Sequence, residues 1–197
     1  MILQDYSTNA GENNRKKLRV VHVGTNDIGG AYNAMCRISK AMTLQGITSD
    51  ICLREKKEIS SDGIQLLHGV SRLLSKSKNL INNLISPGGM HLDFLGTDIS
   101  KSQIVKDADV LLLHWTNSFI SYKSLERLRY IRKPVIIVLH DMWIFTGGCH
   151  YDNYCGKYTT GCNDCPVASS LLKKTMIKWA YKRKNHALKM LNPVLAA

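Results

Sequence analysis

The chain is short of several things, and each shortage removes a class of protein. No apolar run comes near the roughly 18 residues that a membrane-crossing helix needs. The opening MILQDYSTNAGENNRKKLRV holds no apolar core and no small-residue cleavage site, so no secretory leader is read there, and the cytoplasm is the expected compartment. There is no internal repeat and no low-complexity tract, which sets aside solenoids and collagen-like chains. Neither G-x-G-x-x-G nor the G-x-x-x-x-G-K-[ST] phosphate loop occurs, so neither a dinucleotide nor ATP is indicated. Acidic residues also give out: none follows Asp164, while Lys173, Lys174, Lys178, Lys182, Arg183, Lys184 and Lys189 all lie beyond it.

What is present suits one domain of 197 residues, 44% hydrophobic, with a net charge of +12. A surplus of that size, gathered toward one end, points to an anionic partner surface or to a solvated helix face balanced elsewhere. Residues 1–17 read as a loose polar tail, and 18–197 as the folded domain.

Apolar and polar blocks alternate through that domain. Leu18–Gly24 reads as a strand, Thr25–Gly30 as a turn, Ala31 to about Gly46 as a helix and Ile47–Leu53 as a second strand, a βαβ unit. Residues 69–85 read as a helix closed by Pro87-Gly88-Gly89, and Ser102–Ala108 as a short one. Asp109–His114 and Val135–Leu139 are β-branched or leucine-rich runs with the look of strands buried on both faces, separated by a helix over Ser121–Arg132. Ala168 to about Leu191 is a long amphipathic helix, and Val194–Ala197 the start of a strand. The pattern predicts an α/β fold: a Rossmann-like, doubly wound, mostly parallel sheet with a cysteine-rich loop.

Three strand ends carry unusual residues: Asn26–Gly30, His114–Asn117 and His140–Trp143. Parallel strands put all three at one edge, where ligands of open α/β sheets bind. Gly29 and Gly30 let backbone approach a ligand beside a helix N-terminus, or they simply make a tight turn. His140 and Asp141 are an acid/base pair, or donors to a sugar hydroxyl and phosphate, set against the ordinary reading of a satisfied structural histidine. Asn26, His114, Trp115 and Trp143 are candidate ligand contacts, His114 being equally readable as a core histidine.

Cys149, Cys155, Cys162 and Cys165 fall within seventeen residues as C-x5-C-x6-C-x2-C. Four thiolates can close a tetrahedral structural zinc site; two disulfides, or reduced cysteines packed together, use the same residues. Cys36 and Cys52 read as core thiols. The basic helix could lie on an anionic bilayer. Nucleic acid is a poor fit, since Trp179 and Tyr181 are the only aromatics among its lysines.

LLLHWTN and KPVIIVLHDMWIFTGGCHYDNYCGKYTTGCNDCP, with the opening VVHVGTNDIGGAYNAMCRISKAM, resemble the N-terminal domain of bacterial GT-B-fold glycosyltransferases of the family-4 group, of the colanic acid, exopolysaccharide and lipopolysaccharide type. The likeness is dense over 109–166 and loose over 54–105. It implies retaining transfer of a sugar from a nucleotide-sugar to a saccharide or lipid-linked acceptor, with no divalent metal needed for chemistry. It puts Gly29 and Gly30 on the donor-phosphate side, His140 on the transferred sugar, and Asp141 beside His140 or the acceptor. Such enzymes carry an E-x7-E motif in a C-terminal donor domain. The four glutamates here, Glu12, Glu55, Glu58 and Glu126, do not have that spacing. The expectation is an acceptor-side half that is inactive by itself; a basic, non-catalytic module for nucleic acid or anionic membrane is the alternative.

Overall fold

Valine, isoleucine and leucine in runs of four to six residues favour extended chain, and parallel pairing lets helices cover both faces. The computed structural model describes residues 17–57, 63–67 and 89–197. Most of the expected tail and the helix expected over 69–85 lie outside them.

The strands are β1 (Arg19–Gly24), β2 (Thr48–Leu53), β3 (Ile64–Leu66), β4 (Val110–Leu113), β5 (Val135–Val138) and β6 (Val194–Ala196). They form one sheet in the order β3-β2-β1-β4-β5-β6, and every pairing is parallel. This is the order of a Rossmann-like sheet, whose direction of winding reverses between β1 and β4. The expected strands are all present; β3, three residues long, was not read from the sequence.

The helices are α1 (Gly30–Leu44), α2 (Gln103–Asp107), α3 (Tyr122–Arg127) and α4 (Leu171–Leu191). Ser121 caps α3 by accepting from Ser124 N, and Ser170 caps α4 by accepting from Lys173 N. The helix read over 121–132 shortens: after Arg127 it tightens to a 3₁₀ turn over Leu128–Ile131, ending at Arg132 in the left-handed region (φ 53°). Asn192, left-handed at φ 51°, ends α4 one residue before Pro193.

Side-chain parity divides the sheet. Val21, Val23, Leu111, Leu113, Val135 and Ile137 belong to the main core with Phe119, Leu125, Leu128 and Ala187. Residues of the other parity, His22, Leu112 and Ile136 among them, point to the opposite face, where Met35 of α1 lies against Gly24. Gly24 leaves no room for a larger side chain there: a Cβ would stand 3.2 Å from Leu53 and 3.3 Å from Met35.

A second apolar cluster joins Met90, Leu92, Cys162, Cys165, Ala168, Ile177 and Ala180, with Cys149 against it. It ties the cysteine loop to α4. Gly147 makes that contact feasible, since a Cβ there would lie 2.5 Å from Ile177 Cγ2. The helix departs from its expected form in two ways. Leu171 and Leu172 at its start stand 81% and 70% exposed, and Lys184, read with the basic face, is 1% exposed. Among the described residues no helix is long and apolar enough to cross a membrane.

Candidate functional site

The three strand ends meet at one edge of the sheet, as parallel pairing requires. Thr25 joins the first two: its N–H and hydroxyl both donate to Trp115 O at 3.0 Å, and the hydroxyl also reaches Asn117 O at 2.9 Å. Between the ends of β1 and β4 lies a narrow crevice lined by Asn26, Ile28, Ala31, Tyr32, His114 and Trp115 among others. It sits at the point where the winding reverses, the usual ligand position in such sheets. Asn26 folds the turn by accepting from Ile28 N at 3.3 Å. Gly29, at φ 89°, adopts a backbone that other residues avoid, and nothing lies within 4 Å of a Cβ at Gly29 or Gly30. The first turn of α1 has no side-chain cap and no acidic residue. Backbone N–H groups at a helix start of this kind carry the positive end of the helix dipole.

A second crevice runs between β4 and β5, lined by His114, Trp115, Asn117, Asp141 and Trp143 among others. Asp141 is its hub. One carboxylate oxygen accepts Trp143 N at 2.8 Å; the other accepts Trp115 Nε1 at 2.9 Å and His150 Nδ1 at 2.6 Å. The hydrogen bond from His150, with those from Trp143 and Trp115, holds Asp141 below the ordinary carboxylate range against the opposing effect of burial. An ionised carboxylate with both oxygens engaged orients its neighbours and is poorly placed to exchange a proton with a ligand. Bonded to Asp141 through Nδ1, His150 has Nε2 3.3 Å from Asn117 Nδ2. The indole of Trp115 lies 5.8 Å from the His150 ring at 29°, and His91 meets that ring edge-on at 5.0 Å.

His140 behaves differently. Its Nε2 lies 3.0 Å from His114 Nδ1, and His114 Nε2 lies 3.0 Å from His22 Nδ1. Burial drives His22 down to about 4 and His114 to about 3, and it lowers His140 as well, so all three are neutral at pH 7.

Behind this wall is a buried ionisable pair. Lys184 Nζ donates to Trp143 O at 2.5 Å and sits 4.2 Å from the centroid of the Trp143 ring. Burial pulls it down to about 7, while Asp93 and nearby thiols act against the fall. Asp93, 1% exposed and left-handed at φ 45°, accepts Ser118 N at 3.0 Å through one oxygen and has no partner for the other. Burial pushes it up to about 6.

The cysteines stand apart from these crevices. All six are free thiols. Gly147 N donates to Cys162 Sγ at 3.1 Å, and burial raises Cys162 and pushes Cys149 up to about 11. Among the described residues no three His, Cys, Asp or Glu side chains converge as donors for a metal. Three of the loop thiols, those of Cys149, Cys162 and Cys165, lie in or against the second cluster. Cys52 is fully buried as expected; Cys36 is only partly so.

The expected contacts Asn26, His114, Trp115, Asp141 and Trp143 thus line two adjoining crevices; Gly29 and Gly30 fall in the chain between the lining residues Ile28 and Ala31, and His140 is bonded to His114. Thr25, His22, His91, Asp93 and Lys184 are not among the residues that the sequence puts forward for the site, whereas Asn117 closes the stretch His114–Asn117 and His150 stands directly after Cys149.

No family of known sequences matches the chain, and no curated protein does. Three solved structures match. One is a short-chain dehydrogenase/reductase superfamily protein from Agrobacterium tumefaciens with bound NAD, at 10% identity and a TM-score of 0.39. The match covers 90% of this chain, which spans about half, 48%, of the length of that one.

Proposed function

We propose that the chain is the acceptor-side, Rossmann-like half of a glycosyltransferase, one that moves a sugar from a nucleotide-sugar to a saccharide or lipid-linked acceptor in cell-surface polysaccharide assembly. The observation that carries this reading is the pair of crevices joined at His114 and Trp115, with the open Gly29-Gly30 turn at one end and the Asp141 hub at the other. In this reading the diphosphate of the donor approaches Gly29 and the uncapped start of α1, where backbone N–H groups receive negative charge. His140 meets the transferred sugar, while Trp115 and Trp143, fixed by Asp141, form an apolar wall for a sugar ring. Sugar transfer with retention needs donor and acceptor held together, and the residues here supply one side of that arrangement. A second domain would supply the nucleotide pocket. The enzyme would work at the cytoplasmic face of the membrane, where Lys178, Lys182 and the exposed Leu171 and Leu172 of α4 suit contact with anionic lipid.

The test is transfer by the complete gene product against a panel of nucleotide-sugars and lipid-linked saccharides. Activity is expected with at least one donor, and His140→Ala is expected to lower kcat/KM by about 100-fold, the range for loss of one well-placed polar group at a reacting centre. The 197-residue chain alone is expected not to turn over. Turnover by that chain, or binding of NAD with no response to any nucleotide-sugar, would overturn the proposal.

A further inference from the structure

His22 lies in β1, His114 directly after β4 and His140 two residues past β5, so along these three adjacent strands each stands two residues further on than the last. His22 lies opposite Leu112, and His114 follows Leu112 by two; Ile136 lies opposite Leu112 in turn, and His140 follows it by four. Even parity places His22 and His114 on the face turned away from the main core, and the contact with His114 brings His140 alongside them. The ring centroids are 5.2 Å and 5.3 Å apart, and the planes differ by 24° and 29°. With N···N contacts of 3.0 Å, such separations require the bonded nitrogens to lie close to the line joining the centroids. The rings therefore run edge to edge in a nearly coplanar file, a good geometry for N–H···N bonds.

A neutral imidazole has one N–H and one bare nitrogen. His114 uses both nitrogens, so the two bonds of the file must point the same way. Two arrangements remain. In one, protons sit on every Nε2, and the Nε2–H of His22 is left in the interior. That atom is buried without a partner. In the other, protons sit on every Nδ1, and the orphan at His22 is a bare nitrogen. Among backbone groups, orphaned buried N–H groups are rarer than under-satisfied acceptors, and carrying that preference over to the imidazole favours the second arrangement. The outer end of the file is His140 Nδ1. It has no partner among the described residues and is not among the buried atoms that lack one, so it opens toward the sheet edge.

We propose that His22 and His114 are positioning residues that hold His140 in the Nδ1–H tautomer, so that His140 offers the cleft a hydrogen-bond donor and not a basic lone pair. The chemical class that suits it is an acceptor oxygen: a hydroxyl of a saccharide or an oxygen of a phosphate. Only this last step rests on the glycosyltransferase reading; the file itself does not. His140 is then a recognition group, and proton removal from an acceptor falls to some other base. The orphan nitrogen at the inner end is what selects the direction, and His114 transmits it.

Long-range ¹H–¹⁵N correlation on the ¹⁵N-histidine-labelled 197-residue chain at pH 7.5 reads each tautomer directly. All three residues are expected as Nδ1–H, the form that histidine in water disfavours. Nε2–H at His22, His114 and His140 would overturn the proposal. His114→Gln keeps one donor and one acceptor and is expected to leave His140 as Nδ1–H. His114→Phe removes both and is expected to return His140 to Nε2–H; an unchanged His140 there would remove the positioning role. Should either variant fail to fold, the wild-type spectrum decides. Failure of sugar transfer with the Nδ1–H tautomers in place would strike the functional reading and leave the file standing, whereas the Nε2–H result would do the reverse.

Discussion

Lys184 gives the sharpest stability prediction. Its amine is enclosed in the interior between Trp143 and the neighbourhood of Asp93, and burial brings it down to about 7. An unfolded lysine keeps its proton to about pH 10.4. Over the interval between those values the unfolded chain binds a proton that the folded chain does not, so folded stability rises with pH, by about 1.4 kcal/mol per unit at the full slope. Between pH 7.5 and 8.5 the folded amine is mostly neutral already, which leaves about 1 kcal/mol of gain. Buried thiols oppose it. Cys52, pushed up to about 12, and Cys149, up to about 11, lose stability as their unfolded counterparts begin to ionise. A comparison with Lys184→Met cancels that contribution, because methionine keeps an unbranched stem of similar bulk and removes only the amine. Urea unfolding of both chains at pH 7.5 and 8.5 makes the measurement. The wild type is expected to gain about 1 kcal/mol on the variant across the interval. Parallel responses in the two chains would show that Lys184 is not held neutral, and the account of a dry amine against Trp143 would fail.

On the acid side the wild type is expected to lose about 2 kcal/mol between pH 6.5 and 5: His22 and His114 each lose about 1.5 because their depressed values resist protonation, and Asp93 returns about 1 because its value is raised. Urea midpoints that stay level over that range would contradict the neutral, buried file. Gly96→Ala would set a Cβ 2.1 Å from Ser121 N, backbone that cannot yield, and is expected to lower the melting temperature steeply, whereas Gly30→Ala, which meets nothing within 4 Å, should melt within about 0.5 kcal/mol of the wild type. Native-state labelling with a thiol reagent is expected to modify Cys36 and Cys155 before Cys52, Cys149 and Cys162. One zinc per chain on elemental analysis would overturn the reading of the loop cysteines as packed thiols.

Much of the fold is legible in the sequence because buried parallel strands announce themselves: VLLL and VIIV can hardly be anything else between turn signals. His114 directly after the first run and His140 two residues after the second are equally visible. His22 is not, because it lies inside a strand, and only the register between β1 and β4 reveals that it faces His114. Lys184 was read by charge when position carried the information: it falls at i+7 from Ile177 and i+4 from Ala180, on the stripe that Ala187 continues. Three-residue β3, IQL with Leu67 after it, has too few apolar residues to give a period. Asp141 was seen as half of a pair with His140. The two lie in the bend after β5 and hold different partners: His140 a histidine of the adjacent strand end, Asp141 two tryptophans and His150.

That division has a kinetic consequence. The tip of β5 is clamped on both sides, by an imidazole file on one and by three donors on a single carboxylate on the other. Its side chains have given up their rotational freedom on folding, so a ligand arriving there has little left to order. Encounter should then proceed as near-rigid docking, with association limited by diffusion and orientation more than by local rearrangement, and with a smaller entropic cost than a floppy loop would impose.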